Sequence, residues 1–282
     1  MKKTILISGI KGFLASNLVN LLKNEYVIYG IGKVGREENG IQIFSSESID
    51  DINIIPDFLI LCHASVSSGL VTQSNLSLFY TNVTITEKII QKFINSKVIY
   101  VSSASIYDLS TNLVKEDSSI NPKTDYAISK QWAELIVFRK QNSSVIRLSS
   151  LFGTGMKENT IIPNYVNQAL NKGSIEVWGK GHREQNYIHV YDACKLIKAA
   201  IENFDDVKRE ILLGVGKREY SNSYLAQIIS EFTNSKVLFI NEDNSKSIHY
   251  NNSKTCELLQ WVPKANFKEE IHNYIKWKKE QF

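Results

Sequence analysis

The chain has 282 residues, 43% of them hydrophobic, with 33 basic against 29 acidic side chains for a formal charge of +4. That is enough to bury a full core without covalent staples, in one or two domains. A charged fraction of 22% with only 4 prolines excludes a disordered, collagen-like or tail-dominated chain, and the basic residues are scattered, so neither nucleic acid nor a membrane surface is an expected partner.

Near the start, Ser8, Gly9 and Lys11 interrupt the apolar run Ile5, Leu6, Ile7 before the hydrophobic region of a signal peptide can form. No stretch approaches the ~20 apolar residues of a membrane span. Cys62, Cys194 and Cys256 stand far apart with no CxxC pair, which argues against a disulfide framework or a metal site and suits a reducing cytoplasm.

Thr4 to Ser8 reads as a short buried strand, and Leu14, Leu18, Leu21 and Leu22 then recur at the period of a helix buried on one face. Tyr26 to Ile31, Ile41 to Phe44, Phe58 to Cys62, Val98 to Val101 and Val145 to Leu148 are further short apolar runs, rich in the β-branched residues of buried parallel strands. Between them fall helical patterns: Ile89, Ile90, Phe93 and Ile94, then Ile128, Trp132, Leu135 and Ile136. Alternation of this kind predicts an α/β fold with a doubly wound parallel sheet. Beyond about residue 150 glycines punctuate shorter elements, which predicts a smaller second lobe. Two amphipathic helices stand out there. One carries Ala193, Leu196, Ile197, Ala200 and Ile201 behind Asp192 as its cap, and the other carries Leu225, Ile228, Ile229 and Phe232.

Gly9, Gly12 and Ala15 lie between the first strand and the first helix, where a glycine-rich turn lets backbone N–H groups approach a pyrophosphate. NAD-preferring sites place an acid at the end of the second strand for the ribose 2′-hydroxyl. This chain has Gly32 and Lys33 there, with Arg36 following, so positive charge is offered to a 2′-phosphate and NADP is the expected cofactor.

Tyrosine and lysine at i, i+4 share a helix face. The pair occurs five times: Tyr29/Lys33, Tyr126/Lys130, Tyr191/Lys195, Tyr250/Lys254 and Tyr274/Lys278. Only Tyr126 begins a helix downstream of a strand ending in hydroxyls, Ser102 and Ser103, at the edge where doubly wound sheets bind ligands. Tyr126 is thus the expected proton carrier, with the Lys130 ammonium and an oxidised nicotinamide favouring its phenolate, and Ser103 the expected partner of the substrate oxygen.

Taken with Leu61 to Ala64, Asn82 opening a helix, Ser102 to Tyr107, Arg147 to Gly153, Ile162 and Pro163, Tyr187 to Asp192, and Leu259 to Pro263, these motifs resemble the extended short-chain dehydrogenase/reductase family, in its branch of nucleotide-sugar epimerases, dehydratases and reductases. The resemblance implies a Rossmann-type domain over residues 1–152, to which about 184–216 return, and a mainly substrate-binding lobe over 153–282. It implies a cofactor held by Gly9, Gly12, Phe13, Leu14, Lys33, Arg36, Cys62, His63, Ala64, Tyr126 and Lys130, with His63 a packed residue and not a base. Ser103, Tyr126 and Lys130 take the catalytic positions, and a nucleotide-sugar substrate would meet Ser103, Ser105, Ser150 and Arg183. A homodimer is left open. Dehydratases and decarboxylases of this family carry an acidic residue just after the hydroxyl position, and Ala104 and Ser105 stand there instead. Two chemistries remain: reduction of a 4-keto-deoxysugar nucleotide by NADPH, or epimerisation with tightly bound NAD. Lys33, Arg36 and the short connection to Ile41 resemble the reductases more. A non-catalytic dinucleotide sensor is a third reading, against which the Tyr126/Lys130 pair speaks.

Overall fold

The computed structural model describes residues 2–66, 75–108, 110 and 113–281. Its centre is an eight-stranded sheet in the spatial order Ile211–Gly214, Ser143–Leu148, Lys97–Ser103, Phe58–Leu61, Thr4–Ser8, Val27–Gly32, Ile41–Ser45 and Arg36–Glu38. Neighbours run parallel except at one edge, where Arg36–Glu38 lies antiparallel to Ile41–Ser45. The expected strands are all present, several of them one to three residues longer than the apolar runs.

Side-chain alternation splits the core between the two faces of the sheet. Ile5 and Ile7 pack with Leu18, Leu22, Leu196 and Ile197 on one side, under the helices Phe13–Leu22 and Val190–Glu202. Leu6, Leu59 and Tyr100 pack with Ile89, Ile136 and Val137 on the other, under Ile85–Lys92 and Asp125–Val137. Helices on both faces explain why the strands are apolar throughout and do not alternate with polar residues. From Thr4–Ser8 the chain moves one way to Val27–Gly32 and later the other way to Phe58–Leu61, which leaves a crevice at their carboxyl ends.

A second core, with Phe152, Val166, Ile175, Leu225, Ile229 and Ile271, is built on smaller sheets. The strand Ser150–Phe152 follows Leu148 almost directly and pairs with Glu184–His189, so this core lies beyond the carboxyl edge of the large sheet and walls the crevice.

Three expectations are corrected. The helix Asp125–Val137 buries Ala127, Lys130, Ala133, Glu134, Ile136 and Val137, while Ile128, Trp132 and Leu135 are 40%, 52% and 62% exposed. Only Ile136 of the expected apolar stripe is therefore buried, because the sheet side is filled by Ile136, Val137, small residues and an ion pair. Asp192 is no helix cap: its carboxylate accepts from the backbone N–H groups of Lys264 and Ala265 at 3.0 and 2.8 Å, tying the later chain to the sheet. Asn82 does not open a helix either; it lies within the turn Tyr80–Thr84 that continues the helix Asn75–Phe79.

Candidate active site

The turn after the first strand needs glycine at Gly9, whose φ is +67° and whose absent Cβ would stand 2.7 Å from the His63 Cα. Gly12 donates its N–H to the Gly9 carbonyl at 2.7 Å and precedes the helix Phe13–Leu22, which has no side-chain cap. The first N–H groups of that helix are thus open to a ligand oxygen, and the helix dipole favours an anion there. Gly9→Ala is expected to lower the melting free energy by about 2 kcal/mol or more, from left-handed strain plus the clash with His63. Urea unfolding checks this: an unchanged midpoint would mean that the turn rearranges.

At the end of the second strand Lys33 makes no ion pair among the described residues. Arg36 is paired with Glu38 at 2.7 Å, and the same carboxylate is bound by Lys11 from the glycine turn. No motif in the sequence marks Lys11 or Glu38.

On the far side of the crevice His63 is buried, its Nδ1 2.5 Å from the Ser8 hydroxyl and its Nε2 3.0 Å from the Thr86 hydroxyl. Thr86 donates to the Asn82 carbonyl, so its oxygen accepts from Nε2–H and Nδ1 accepts from Ser8. Burial, with Lys130 nearby, lowers the imidazole pKa to about 3, and this neutral, doubly held ring is unsuited to proton transfer. Cys62 is half-buried, its thiol pushed up to about 12 by desolvation. Asn82 clamps the next loop, accepting from Ser65 N–H at 2.7 Å and donating to the Ser65 carbonyl at 3.0 Å.

Ser103 closes its strand, 2.9 Å from the Ser105 hydroxyl, and stands near enough to the Tyr126 phenol to lower its pKa. Thr124 caps the helix that carries Tyr126 by accepting from Ala127 N–H at 3.2 Å. One turn on, Lys130 is 2% exposed, donates to the Val101 carbonyl at 2.6 Å and lies 4.1 Å over the Tyr100 ring. Burial lowers its pKa to about 7. Burial raises the Tyr126 pKa above its ordinary value, against the lowering effect of the Ser103 bond. Without ligand, therefore, burial holds the phenol protonated; the expected phenolate belongs to the site with an oxidised nicotinamide beside it. Behind this group the buried Glu134 and Arg147 form a two-pronged pair at 2.9 and 2.7 Å, and the guanidinium lies 4.5 Å over the Tyr107 ring. A charge-neutral pair of this kind can be buried where a single ion could not.

These elements line one cleft of about 1190 Å³. It brings together Gly9, Gly12, Phe13, Leu14, Lys33, Arg36, Cys62, His63 and Ala64 at the glycine turn, Ser103, Ser105, Tyr126 and Lys130 in the middle, and Ser150 and Arg183 on the second-core side. Lys157 and Lys246 join Arg183 there, from loops in which nothing in the sequence singles them out. Seven cations line the cleft, Lys11, Lys33, Arg36, Lys130, Lys157, Arg183 and Lys246, against the acids Glu47 and Glu184. Such a surface attracts polyanions. Among the described residues no cluster of His, Cys, Asp and Glu could hold a metal ion, and no helix is long and apolar enough to cross a membrane.

The residues fit a nicotinamide dinucleotide: a glycine cradle that a Cβ would fill, an uncapped helix N-terminus, and cations at the ribose end. Comparison with known proteins agrees. Residues 5–216 match the NAD dependent epimerase/dehydratase family. The chain is 23% identical over 275 residues to the GDP-6-deoxy-D-talose 4-dehydrogenase of Aggregatibacter actinomycetemcomitans, covering 90% of each chain. It is 24% identical to the UDP-N-acetyl-alpha-D-glucosaminuronate decarboxylase of Bacillus cytotoxicus, covering 99% of each. Its fold matches the UDP-glucuronic acid 4-epimerase of Bacillus cereus, solved with UDP-glucuronic acid and NAD, with a TM-score of 0.85 at 17% identity over 99% of this chain and 100% of that one. With its glycine turn, its Tyr126/Lys130 pair and this match over most of its length, the chain is an enzyme of the NAD dependent epimerase/dehydratase family, in the extended branch of the short-chain dehydrogenases/reductases.

Proposed function

We propose that the enzyme reduces a 4-keto-deoxysugar nucleotide with NADPH. The observation that carries this reading is the meeting of Tyr126, Lys130 and Ser103 in one cleft, with Ala104 and Ser105 and no carboxylate following the serine. An alkoxide forming at the sugar oxygen needs one proton, which Tyr126 supplies, and one fixed donor, which Ser103 supplies. Elimination of water needs a further proton carrier, and Ala104 and Ser105 provide none. When bound, the reduced nicotinamide supplies the hydride. Gly9, Gly12, Phe13 and Leu14 would hold its pyrophosphate side, Cys62, His63 and Ala64 wall it, Lys33 and Arg36 meet a 2′-phosphate, and Lys130 meets the nicotinamide ribose. Ser105, Ser150 and Arg183 are assigned to the nucleotide sugar, with the Arg183 charge toward its diphosphate. The relative named as a 4-dehydrogenase of a GDP-6-deoxysugar supports the reading, since oxidation at that carbon is the reverse of the proposed step.

Epimerisation with bound NAD is the second reading. It is favoured by the engagement of Arg36 with Glu38, which draws one cation away from a 2′-phosphate. Incubating the enzyme and NADPH with a panel of 4-keto sugar nucleotides separates the two. Reduction adds two hydrogens to the product and consumes one NADPH for each, whereas a configurational change without mass gain or cofactor loss would overturn the reductase.

The raised phenol pKa gives a pH signature. Reduction uses the protonated phenol, which stays populated from pH 6 to 9, so a fall in rate near pH 7 is expected only from loss of the Lys130 ammonium. The reverse oxidation uses the phenolate and is expected to rise about tenfold per pH unit below the phenol pKa. Steady-state rates in both directions test this, and a reductive rate that falls steadily above pH 8, beyond the Lys130 titration, would point to a different acid.

We also assign the outward stripe of Ile128, Trp132 and Leu135 to a second copy of the chain. It is extended by Phe79, whose ring meets Trp132 edge-on at 5.9 Å, and by Leu76, which is 85% exposed. A self-complementary apolar patch spread over two helices suits a two-fold interface. Light scattering is expected to show a dimer that Leu135→Glu converts to monomer; a monomeric wild-type protein at micromolar concentration would refute the assignment.

A further inference from the structure

The turn and the sheet edge that flank the ribose end of the cleft are joined by a three-membered charge cluster. Glu38 lies on the antiparallel edge strand Arg36–Glu38, and its carboxylate takes Arg36 on one oxygen and Lys11 on the other. Lys11 belongs to the glycine turn, so the cluster spans from the pyrophosphate cradle to the sheet edge. Lys11 and Arg36 both line the cleft, together with the unpaired Lys33. Hydrogen bonding from Lys11, aided by the charge of Arg36, holds the Glu38 carboxyl below its usual range, so it stays ionised at neutral pH.

We propose that Glu38 is a specificity-determining residue that sets the balance between phosphorylated and unphosphorylated nicotinamide dinucleotides by occupying two of the three cations that a 2′-phosphate would use. The proposal rests on the assignment of the cleft to such a dinucleotide, and it holds whichever reaction follows. Three cations and one carboxylate leave a net charge of +2 against a phosphate of nearly −2, and removing the carboxylate frees Lys11 and Arg36 without moving the backbone. The three side chains are between a third and just over a half exposed, so each pair is weak and can be exchanged for a ligand. A 2′-hydroxyl carries no charge and gains nothing from the freed cations.

The test is Glu38→Gln, with Kd for NADPH and NADH measured by titration of the reduced-nicotinamide fluorescence. NADPH is expected to tighten about three- to tenfold, the scale of two exposed ion pairs, while NADH changes by less than about twofold. In the double variant Lys11→Ala with Glu38→Gln most of that gain should vanish, which a general loosening of the hairpin would not produce. Glu231→Gln, whose carboxylate is paired with Lys268 in another exposed ion pair, serves as the charge control and should leave both constants unchanged. Equal shifts for the two cofactors, or no shift in their ratio, would overturn the role of Glu38. If neither cofactor binds the wild type or the variants, the dinucleotide assignment itself falls and the proposal with it.

Discussion

Tyr126→Phe is expected to lower turnover by between about a hundredfold and ten-thousandfold, the range associated with one well-placed proton donor, and to leave the Kd for the dinucleotide within about twofold. The substitution removes one oxygen. The ring stays half-buried in the same place, and Ser103 keeps its 2.9 Å contact with Ser105, so the oxygen-binding side of the site is preserved. Loss should appear in kcat and in kcat/KM together, because the proton is transferred only as the alkoxide forms. Single-turnover measurement of NADPH oxidation with a 4-keto sugar nucleotide checks this. If Tyr126→Phe keeps more than about a tenth of the wild-type rate, another acid carries the proton, and the site assignment built on Tyr126, Ser103 and Lys130 is wrong.

Lys130→Met is expected to remove turnover as well, and to make the protein more stable at low pH. The buried ammonium has its pKa lowered from 10.5 to about 7, which corresponds to about 5 kcal/mol of destabilisation wherever the lysine is protonated in both folded and unfolded chains, that is, below pH 7. Between pH 7 and 10.5 the unfolded chain binds a proton that the folded chain releases, so the penalty shrinks as pH rises. Methionine fills a similar volume without the charge but leaves the Val101 carbonyl without its donor, at a cost of about 1–3 kcal/mol, so a net gain of about 2–4 kcal/mol is expected at pH 6, narrowing by pH 9. Thermal unfolding at the two pH values checks the sign. A lower midpoint at both would mean that the Val101 and Tyr100 contacts outweigh burial. Stability given up in this way at one residue, in exchange for a cation next to the reacting oxygen, is the usual trade at an active site.

The glycine turn, the parallel strands and the pairing of Tyr126 with Lys130 were legible in the sequence because each is a short-range property. A left-handed φ at Gly9, a run of β-branched residues and an i, i+4 spacing are set within a few residues of chain. That Tyr126 and Lys130 line the cleft also follows from the order of strand and helix. The helix Asp125–Val137 marks the limit. Its apolar period shows a helix but not which face is covered, because the sheet side also holds Lys130 and Glu134, and Glu134 can be buried only through Arg147 on a strand formed later in the chain. Asp192 accepts from Lys264 and Ala265 across more than 70 residues, Asn82 clamps Ser65, and Glu38 gathers Lys11 from the first turn. A carboxylate or an amide has no periodicity and can find its partner anywhere. The α/β alternation and the glycine turn follow from local sequence alone. Which charges meet follows from the sheet order, because buried and clustered polar groups are selected by what that order brings within hydrogen-bonding distance.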